Sequence, residues 1–227
     1  MSGKKTKEWL GEPLPRGRHG LGAAAVRTSQ RARLHHAMLD LVSRQGYAAT
    51  TVPQVVASAR VSRNAFYEFF ADKEACFLAA CEEDAGRLMQ EIAAVPRERD
   101  WRRIVDGSLA VYLRWWQARP QLTRAYFVEM PGAGPLAVKH RAQVYAPFEE
   151  MFRTLAAYAR SSDSGLSPLA DYIPRMLALS ITEYVAAEVR AHGSDRLLDL
   201  HADLNHYIIK LLGNDTAAKQ VHRRKRA

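Results

Sequence analysis

The spacing of the first helical patterns is the feature that most constrains this chain. Between residues 28 and 70 the sequence predicts three helices joined by connections of only a few residues. The first spans residues 28–45, and Gly46 is its expected end, because glycine is favoured just after a helix. Two helices joined by so short a turn form a helix-turn-helix unit, whose second helix can lie in the major groove of DNA. The first expectation is therefore an all-α fold that begins with such a unit.

Capping residues mark where the following helices begin. Thr51 and Gln54 form a T-x-x-Q capping box, and the helix that they open is predicted to end near Ala59. Ser62 is the expected N-cap of a short third helix, and Asp72 is the expected N-cap of a fourth helix that runs to about residue 94.

The third helix combines a polar tip with an aromatic body, in the stretch VSRNAFYEFFADKE. Arg63 and Asn64 stand at its start, and in the major groove arginine can pair with guanine and asparagine with adenine. Phe66 and Phe70 are four residues apart on one side of the helix, so they are expected to anchor it to its neighbours. The alternative is a small helical core in which Arg63 and Asn64 are only solvated capping residues.

Basic residues concentrate at the two ends of the chain. The formal net charge is +9, and residues 1–34 carry +6, residues 213–227 carry +4 and the body between them carries −1. Basic tails suit nucleic acid, because neutralised phosphates release counterions, but they also suit plain solubility. The N-terminal stretch PRGRHG loosely resembles an AT-hook, so Arg16 and Arg18 are candidate minor-groove contacts. The alternative is a disordered basic arm with loose phosphate contacts.

Several classes of protein are disfavoured by what the sequence lacks. It has no apolar run of about 20 residues, as a membrane helix needs, and no signal-peptide pattern. Cys76 and Cys81 are five residues apart, on different faces of a helix, which disfavours a disulfide between them and favours reduced thiols in the cytoplasm. No H-E-x-x-H, P-loop or G-x-S-x-G pattern is present, so we expect no enzyme, no metal site and no cofactor.

The second half of the chain is predicted to form five more helices, at residues 101–118, 120–130, 135–160, 171–191 and 195–212. The last two carry apolar stripes at near-heptad spacing, which is typical of a helix–helix seam. Such a seam can form between two subunits, and its candidate residues are Met176, Ile181, Tyr184, Leu200, Leu204, Ile208 and Leu211. The alternative is that the stripes only bury each helix within its own subunit.

The middle helices are rich in large side chains, as a ligand cavity between helices would be. The candidate cavity residues are Tyr112, Trp115, Trp116, Phe127, Glu129, Phe148 and Met151. For each of them the alternative is an ordinary core position, or for Glu129 a surface position. An effector that binds such a cavity is expected to be apolar or planar.

Six residue pairs carry a family resemblance. They are Gly46-Tyr47, Thr50-Thr51, Val61-Ser62, Phe66-Tyr67, Phe69-Phe70 and Lys73-Glu74. At this spacing they resemble the N-terminal DNA-binding domain of the TetR (tetracycline-repressor-like) family of bacterial transcriptional regulators, over about residues 30–80. The resemblance implies a helix-turn-helix domain at 28–80 and a helical effector-binding and dimerisation domain at 81–213. A basic flexible arm at 1–27 and a basic tail at 214–227 would flank them.

The resemblance also implies roles for single residues. Phosphate contacts are implied for Thr51, Tyr67 and Lys73, and a groove-facing tip is implied for Ser62, Arg63 and Asn64. The family usually has glycine where this chain has Arg60, so a positive φ is expected at a residue that carries a Cβ, and Arg60 can add a phosphate contact. The implied function is a homodimeric repressor, released from a pseudo-palindromic double-stranded DNA operator by a small effector. The alternative is a helical carrier of apolar ligands without specific DNA binding.

Overall fold

The structure is a computed structural model that describes residues 22–213, apart from the side chains of residues 135, 138, 141 and 142. Within that part of the chain all regular secondary structure is helical, and no strand occurs. The predicted all-α class is therefore confirmed.

The N-terminal domain opens with three helices, α1 (Ala23–Gln45), α2 (Val52–Ala59) and α3 (Arg63–Phe69). The predicted caps are confirmed. Thr51 and Gln54 exchange the two hydrogen bonds of a capping box at α2, and the Ser62 hydroxyl accepts the Ala65 N–H at α3 at 3.1 Å. These local bonds fix where each helix begins and thereby hold the connection between α2 and α3 to three residues.

The first helix begins earlier than the sequence predicts. It starts at Ala23, within the segment that is expected to be a flexible arm, and Gly22 occupies its N-cap position. Three consecutive alanines open it, and alanine has the highest helix propensity of all residues, so the helix extends beyond its apolar stripe.

The remaining helices build the second domain. They are α4 (Lys73–Ala93), α5 (Trp101–Gln117), α6 (Pro120–Arg124), α7 (Pro135–Ser162), α8 (Ile173–His192) and α9 (His201–Gly213). A π-helical turn at Ala125–Glu129 and a 3-10 turn at Met130–Gly132 follow α6, and a second 3-10 turn at Leu197–Leu200 precedes α9. Asp72 caps α4 as predicted, accepting the Ala75 N–H at 2.8 Å.

The two domains share one continuous core. Helix α1 packs against α2 and α4, and also against α6 and the π turn of the second domain. Large apolar side chains from both domains, among them Phe66, Phe77, Trp101 and Phe127, are almost completely buried in it. No helix in residues 22–213 is long and apolar enough to span a bilayer.

Candidate DNA-binding surface and ligand cavity

Helix α3 presents a polar face to solvent because its aromatic face is buried. Phe66 and Phe70 are buried against the neighbouring helices, as the sequence predicts, and their ring centroids are 5.6 Å apart. Arg63 and Asn64 are exposed at the start of the helix, and Tyr67 is 47% exposed one turn further on. The Arg63 guanidinium carbon is 5.7 Å from the Tyr67 ring centroid, so the two side chains lie on one surface. This surface offers bidentate donors to base edges or phosphates.

Three further residues predicted to contact DNA lie at the starts of α2, α3 and α4. Ser62 and Thr51 are exposed at the N-caps of α3 and α2, and their hydroxyls also serve as caps. Lys73 is partly exposed at the first position of α4, where the free N–H groups and the helix dipole favour an anion. The structure thus places these three candidates at the N-terminal ends of their helices, and their contacts with DNA stay a prediction.

Arg60 holds the turn between α2 and α3 in the conformation expected from the sequence. Its φ is 52° and its ψ is 46°, and it is the one described residue other than glycine with a positive φ. The Arg33 guanidinium of α1 donates to the carbonyl oxygens of Ala59 and Arg60, at 2.9 and 3.2 Å, and so satisfies the free C-terminal end of α2. Burial, followed by the charge of Arg60, lowers the pKa of Arg33.

Replacing Arg60 with glycine is expected to separate stability from DNA affinity. A left-handed conformation costs a residue with a Cβ about 1–2 kcal/mol, but glycine also gains freedom in the unfolded chain, so we expect a net stabilisation of about 0.5–1 kcal/mol. DNA affinity should fall alike on all sequences, because a cation near the phosphates is lost. Urea unfolding and DNA titrations on two unrelated duplexes measure both effects. A destabilised Arg60→Gly variant would contradict the account of strain.

Sequence reasoning missed one contact of this surface. Arg27 of α1 lies over the Phe69 ring, with its guanidinium carbon 4.8 Å from the centroid, and pairs with Glu68 at 3.0 Å. The pair offsets the single negative charge of α3. The contact was missed because the sequence places Arg27 in the basic arm. The minor-groove candidates Arg16 and Arg18 lie outside the described residues.

A cavity of about 500 Å³ lies within the second domain, between α4, α5, α7, α8 and α9. Its wall is mainly apolar, and three predicted residues, Tyr112, Phe148 and Met151, line it. Hydroxyl groups of Ser108, Thr154 and Thr182 supply isolated polar points on the wall. Pockets for small ligands have this volume and this mixture of apolar wall and few polar groups.

The charged and titratable groups of the cavity define its chemistry. Arg97 and Glu150 are its two charged residues and both are exposed, which places them at its rim. Burial raises the pKa of the Tyr112 phenol above its usual value, so the phenol is protonated well beyond neutral pH. A ligand with an apolar or aromatic body fits the wall, and its polar group can be met by the hydroxyls or at the rim.

Four predicted cavity residues lie elsewhere. Trp115, Trp116 and Phe127 are buried but are not part of the cavity wall. Trp116 packs on Phe127 with centroids 4.8 Å apart, behind Tyr112, because its position in α5 points it toward the π turn. Periodicity could place these rings in the core but could not tell a cavity wall from the layer behind it.

Glu129 is the fourth of these residues, and it contacts the N-terminal domain. Its carboxylate accepts the Tyr47 N–H at 3.0 Å, just beyond the end of α1. Gly46 has a φ of 84°, and a Cβ there would lie 3.2 Å from the carboxylate, so the glycine serves both the turn and this approach. Nearby, Gly134 lies against Glu74 of α4 in the same way, with 3.2 Å between the position of a Cβ and the Glu74 carboxylate. No sequence pattern links residues this far apart.

The residues predicted for a dimer interface divide into two groups. Ile181, Leu200, Leu204 and Ile208 are buried within the subunit, and Ile181 and Ile208 line the cavity. These four side chains are buried because the apolar sides of α8 and α9 face the cavity and α5. Leu211 is partly buried against the same core, whereas Met176 and Tyr184 on α8 are 51% and 48% exposed. The exposed face of α8 also carries Leu179.

Residues 22–213 contain no group of three or more His, Cys, Asp or Glu side chains arranged to hold a metal ion. The two cysteines are free and buried, and burial raises the pKa of Cys76 to about 12.

Comparison with known sequences supports the assignment of the N-terminal domain. Residues 35–80 match the family of bacterial regulatory proteins described as the tetR family. An uncharacterised HTH-type transcriptional regulator, YerO of Bacillus subtilis, is 30% identical over 69 residues, which is 30% of this chain and 24% of that protein. The HTH-type transcriptional repressor SCO4008 of Streptomyces coelicolor is 24% identical over 152 residues, or 67% of this chain and 73% of that one.

Solved structures share the fold well beyond the N-terminal domain. The fatty acid degradation regulator FadR of Bacillus halodurans superimposes with a TM-score of 0.70 and 16% identity, over 82% of this chain and 96% of that one. The regulator FadR of Bacillus subtilis, in complex with stearoyl-CoA, gives a TM-score of 0.64 and 16% identity, over 80% and 97%. At such identities the likeness establishes the fold of both domains and nothing about the ligand.

Proposed function

We infer that this chain is a regulator of the TetR family of bacterial regulatory proteins, and we propose that it is a homodimeric repressor that a small apolar or aromatic effector releases from its operator. The coarser statement, a DNA-binding transcriptional regulator, follows from the family. Our proposal adds that the protein is a homodimer, that it represses transcription and that a small ligand releases it from DNA. We place the protein in the cytoplasm, where its operator would be.

One observation carries the proposal, namely the exposed polar tip of α3 above a fully buried aromatic anchor. Phe66 and Phe70 hold the helix rigidly. The helix can therefore present Arg63 and Asn64 to base edges with little loss of backbone conformational entropy on binding. A pseudo-palindromic site read by two such helices, about 34–36 Å apart, requires a dimer. The exposed apolar face of α8, with Met176, Leu179 and Tyr184, is the surface that we propose pairs with a second subunit.

Two further observations support repression and its release. One relative is named as a repressor, and one structural neighbour is named as a complex with stearoyl-CoA. The cavity of this chain, at about 500 Å³, is large enough for a small molecule with an apolar body. An effector that binds better to one arrangement of the subunits would shift the population toward it, and DNA would be released if that arrangement no longer matched the operator spacing.

The experiment that tests this function is a DNA-binding titration by fluorescence anisotropy. The duplex comes from immediately upstream of the protein's own gene, random DNA is the control, and several salt concentrations are used. We expect a tight complex with two subunits per site, far above the random control. Weak binding that is equal on both duplexes would contradict specific recognition at that site and favour the carrier of apolar ligands.

Replacing Arg63 and Lys73 separately with alanine is expected to give two different losses. Arg63→Ala should cost about 1–3 kcal/mol on the operator and relax the preference at one base position. Lys73→Ala should weaken binding to all sequences alike and lower the salt slope by about one, because it removes one phosphate contact. Titrations of both variants on operator, single-base variants and random DNA check this. Equal losses on all duplexes for both variants would contradict the division of roles.

A further inference from the structure

Glu129 joins the two domains just beyond the end of α1, at the backbone N–H of Tyr47. The carboxylate accepts the Tyr47 N–H at 3.0 Å, and its second oxygen accepts from Arg124 at 3.3 Å. Its side chain is only 17% exposed. A carboxylate near the C-terminal end of a helix is repelled by the helix dipole, so this contact depends on the hydrogen bond and on Arg124.

Tyr47 in turn holds Lys73. The Lys73 ammonium donates to the Tyr47 carbonyl oxygen at 2.9 Å and lies 4.1 Å from the centroid of the Tyr47 ring. An ammonium group has three donors, so two of them stay free for a phosphate. Glu129 therefore binds the N–H of the same residue whose carbonyl and ring fix the position of the lysine.

The residues that precede Glu129 in the π turn connect to the cavity through aromatic contacts. Tyr126 and Phe127, in the same π turn, pack on Trp116 with centroids 5.0 and 4.8 Å apart. Trp116 contacts Tyr112 at 6.3 Å, and Tyr112 lines the cavity. Packed rings thus lead from the cavity wall to the π-helical turn, and the backbone of that turn carries Glu129, which binds Tyr47. Such turns are often found at functional sites.

We propose that Glu129 is a positioning residue for DNA binding, which fixes the Lys73 ammonium through Tyr47 and ties that position to the packing around the cavity. The inference rests on the proposed function, because Lys73 matters only if the chain binds DNA. The proposal predicts that Glu129 strengthens DNA binding, although its negative charge alone would weaken it. Removal of an acidic residue near DNA favours binding on electrostatic grounds, whereas loss of the positioning contact weakens it.

Four variants of Glu129 and Lys73 in the full chain test the proposal. Glu129→Ala and Glu129→Asp both break the hydrogen bond to the Tyr47 N–H, but Glu129→Asp keeps the negative charge. Glu129→Gln removes the charge and keeps a side-chain oxygen at the same distance from the backbone, so it can still accept this hydrogen bond. The fourth variant combines Glu129→Ala with Lys73→Ala. Glu149→Ala is the matched control, because Glu149 is also 17% exposed and also pairs with an arginine on its own domain, Arg153, at 3.7 Å.

The expected results come from titrations against operator and random DNA at several salt concentrations. Glu129→Ala and Glu129→Asp should weaken binding about five- to tenfold and lower the salt slope by close to one. Glu129→Gln should stay within about twofold of the parent protein, as should Glu149→Ala. In the Lys73→Ala background, Glu129→Ala should have no further effect, because Glu129 acts through the lysine.

Three results would overturn the proposal. They are unchanged or tighter binding by both Glu129→Ala and Glu129→Asp, a loss by Glu129→Gln as large as theirs, or additive losses in the double variant. If Glu129→Ala does not fold by circular dichroism, Glu129→Asp and Glu129→Gln decide the question alone. Failure of the proposed function is a different result, in which the parent protein itself shows no preference for the operator.

Discussion

The Phe66→Ala variant should lose most of the stability of the DNA-binding domain, with a fall in the free energy of unfolding of about 3–5 kcal/mol. Phe66 is fully buried, and its ring packs on Tyr67 and Phe70 at centroid distances of 5.3 and 5.6 Å. Removal of the ring leaves a cavity beneath a helix of only seven residues, which cannot be stable without its tertiary contacts. Urea unfolding monitored by circular dichroism measures the change.

Tyr67→Ala is the control from the same helix. Tyr67 is 47% exposed, so we expect a change in the free energy of unfolding of about 1 kcal/mol or less, mostly from the lost ring contact with Phe66. DNA affinity should nevertheless fall, since the tyrosine is a predicted phosphate contact. If the two variants lost similar amounts of stability, Phe66 would not be the anchor of α3.

Filling the ligand cavity should abolish ligand binding. Ala178 on α8 is buried and lines the cavity, and a tryptophan there would occupy much of its volume of about 500 Å³. With the fluorescent apolar probe anilinonaphthalene sulfonate, we expect affinity for the Ala178→Trp variant to be about a hundredfold weaker, or about 3 kcal/mol.

Two companion variants make that result decisive. Ser108→Trp enters the same cavity from α5, so it should show the same loss even if Ala178→Trp disturbs the packing of α8. Ala157→Trp adds the same side chain to an exposed position of α7 outside the cavity wall and should bind the probe as the parent protein does. Normal probe binding by both cavity variants would show that the probe binds elsewhere and that this cavity is not the ligand site.

Features that depend on a few neighbouring residues could be predicted from the sequence. The Thr51 capping box and the Ser62 and Asp72 caps all arise within four residues along the chain, whereas the positive φ of Arg60 was expected from the family resemblance. The burial of Phe66 and Phe70 follows from their helical spacing in the same way. Local patterns were therefore sufficient to predict the helix-turn-helix unit, and the family resemblance rests on the same residues.

Features that depend on distant packing could not be predicted. The Glu129–Tyr47 hydrogen bond joins residues 82 positions apart, and the cap that Arg33 provides for α2 spans 26 and 27 positions. The cavity wall was predicted only in part. Tyr112 and Trp116 are both large aromatic residues of α5, but Tyr112 lines the cavity and Trp116 packs behind it. The stripe of α9 was likewise ambiguous, since a helix can bury the same spacing of leucines in its own subunit or in a partner.

The continuous core also limits how this protein can be recombined. A boundary after residue 80, where the sequence match to the family ends, falls inside α4, which runs from Lys73 to Ala93. A hybrid regulator joined there would place Cys81 and Leu88, both buried, against the foreign half of its core. It would also separate Tyr47 from Glu129 and Glu74 from Gly134. Under the proposed function, DNA specificity is therefore better exchanged by grafting the exposed positions of α3 than by exchanging whole domains.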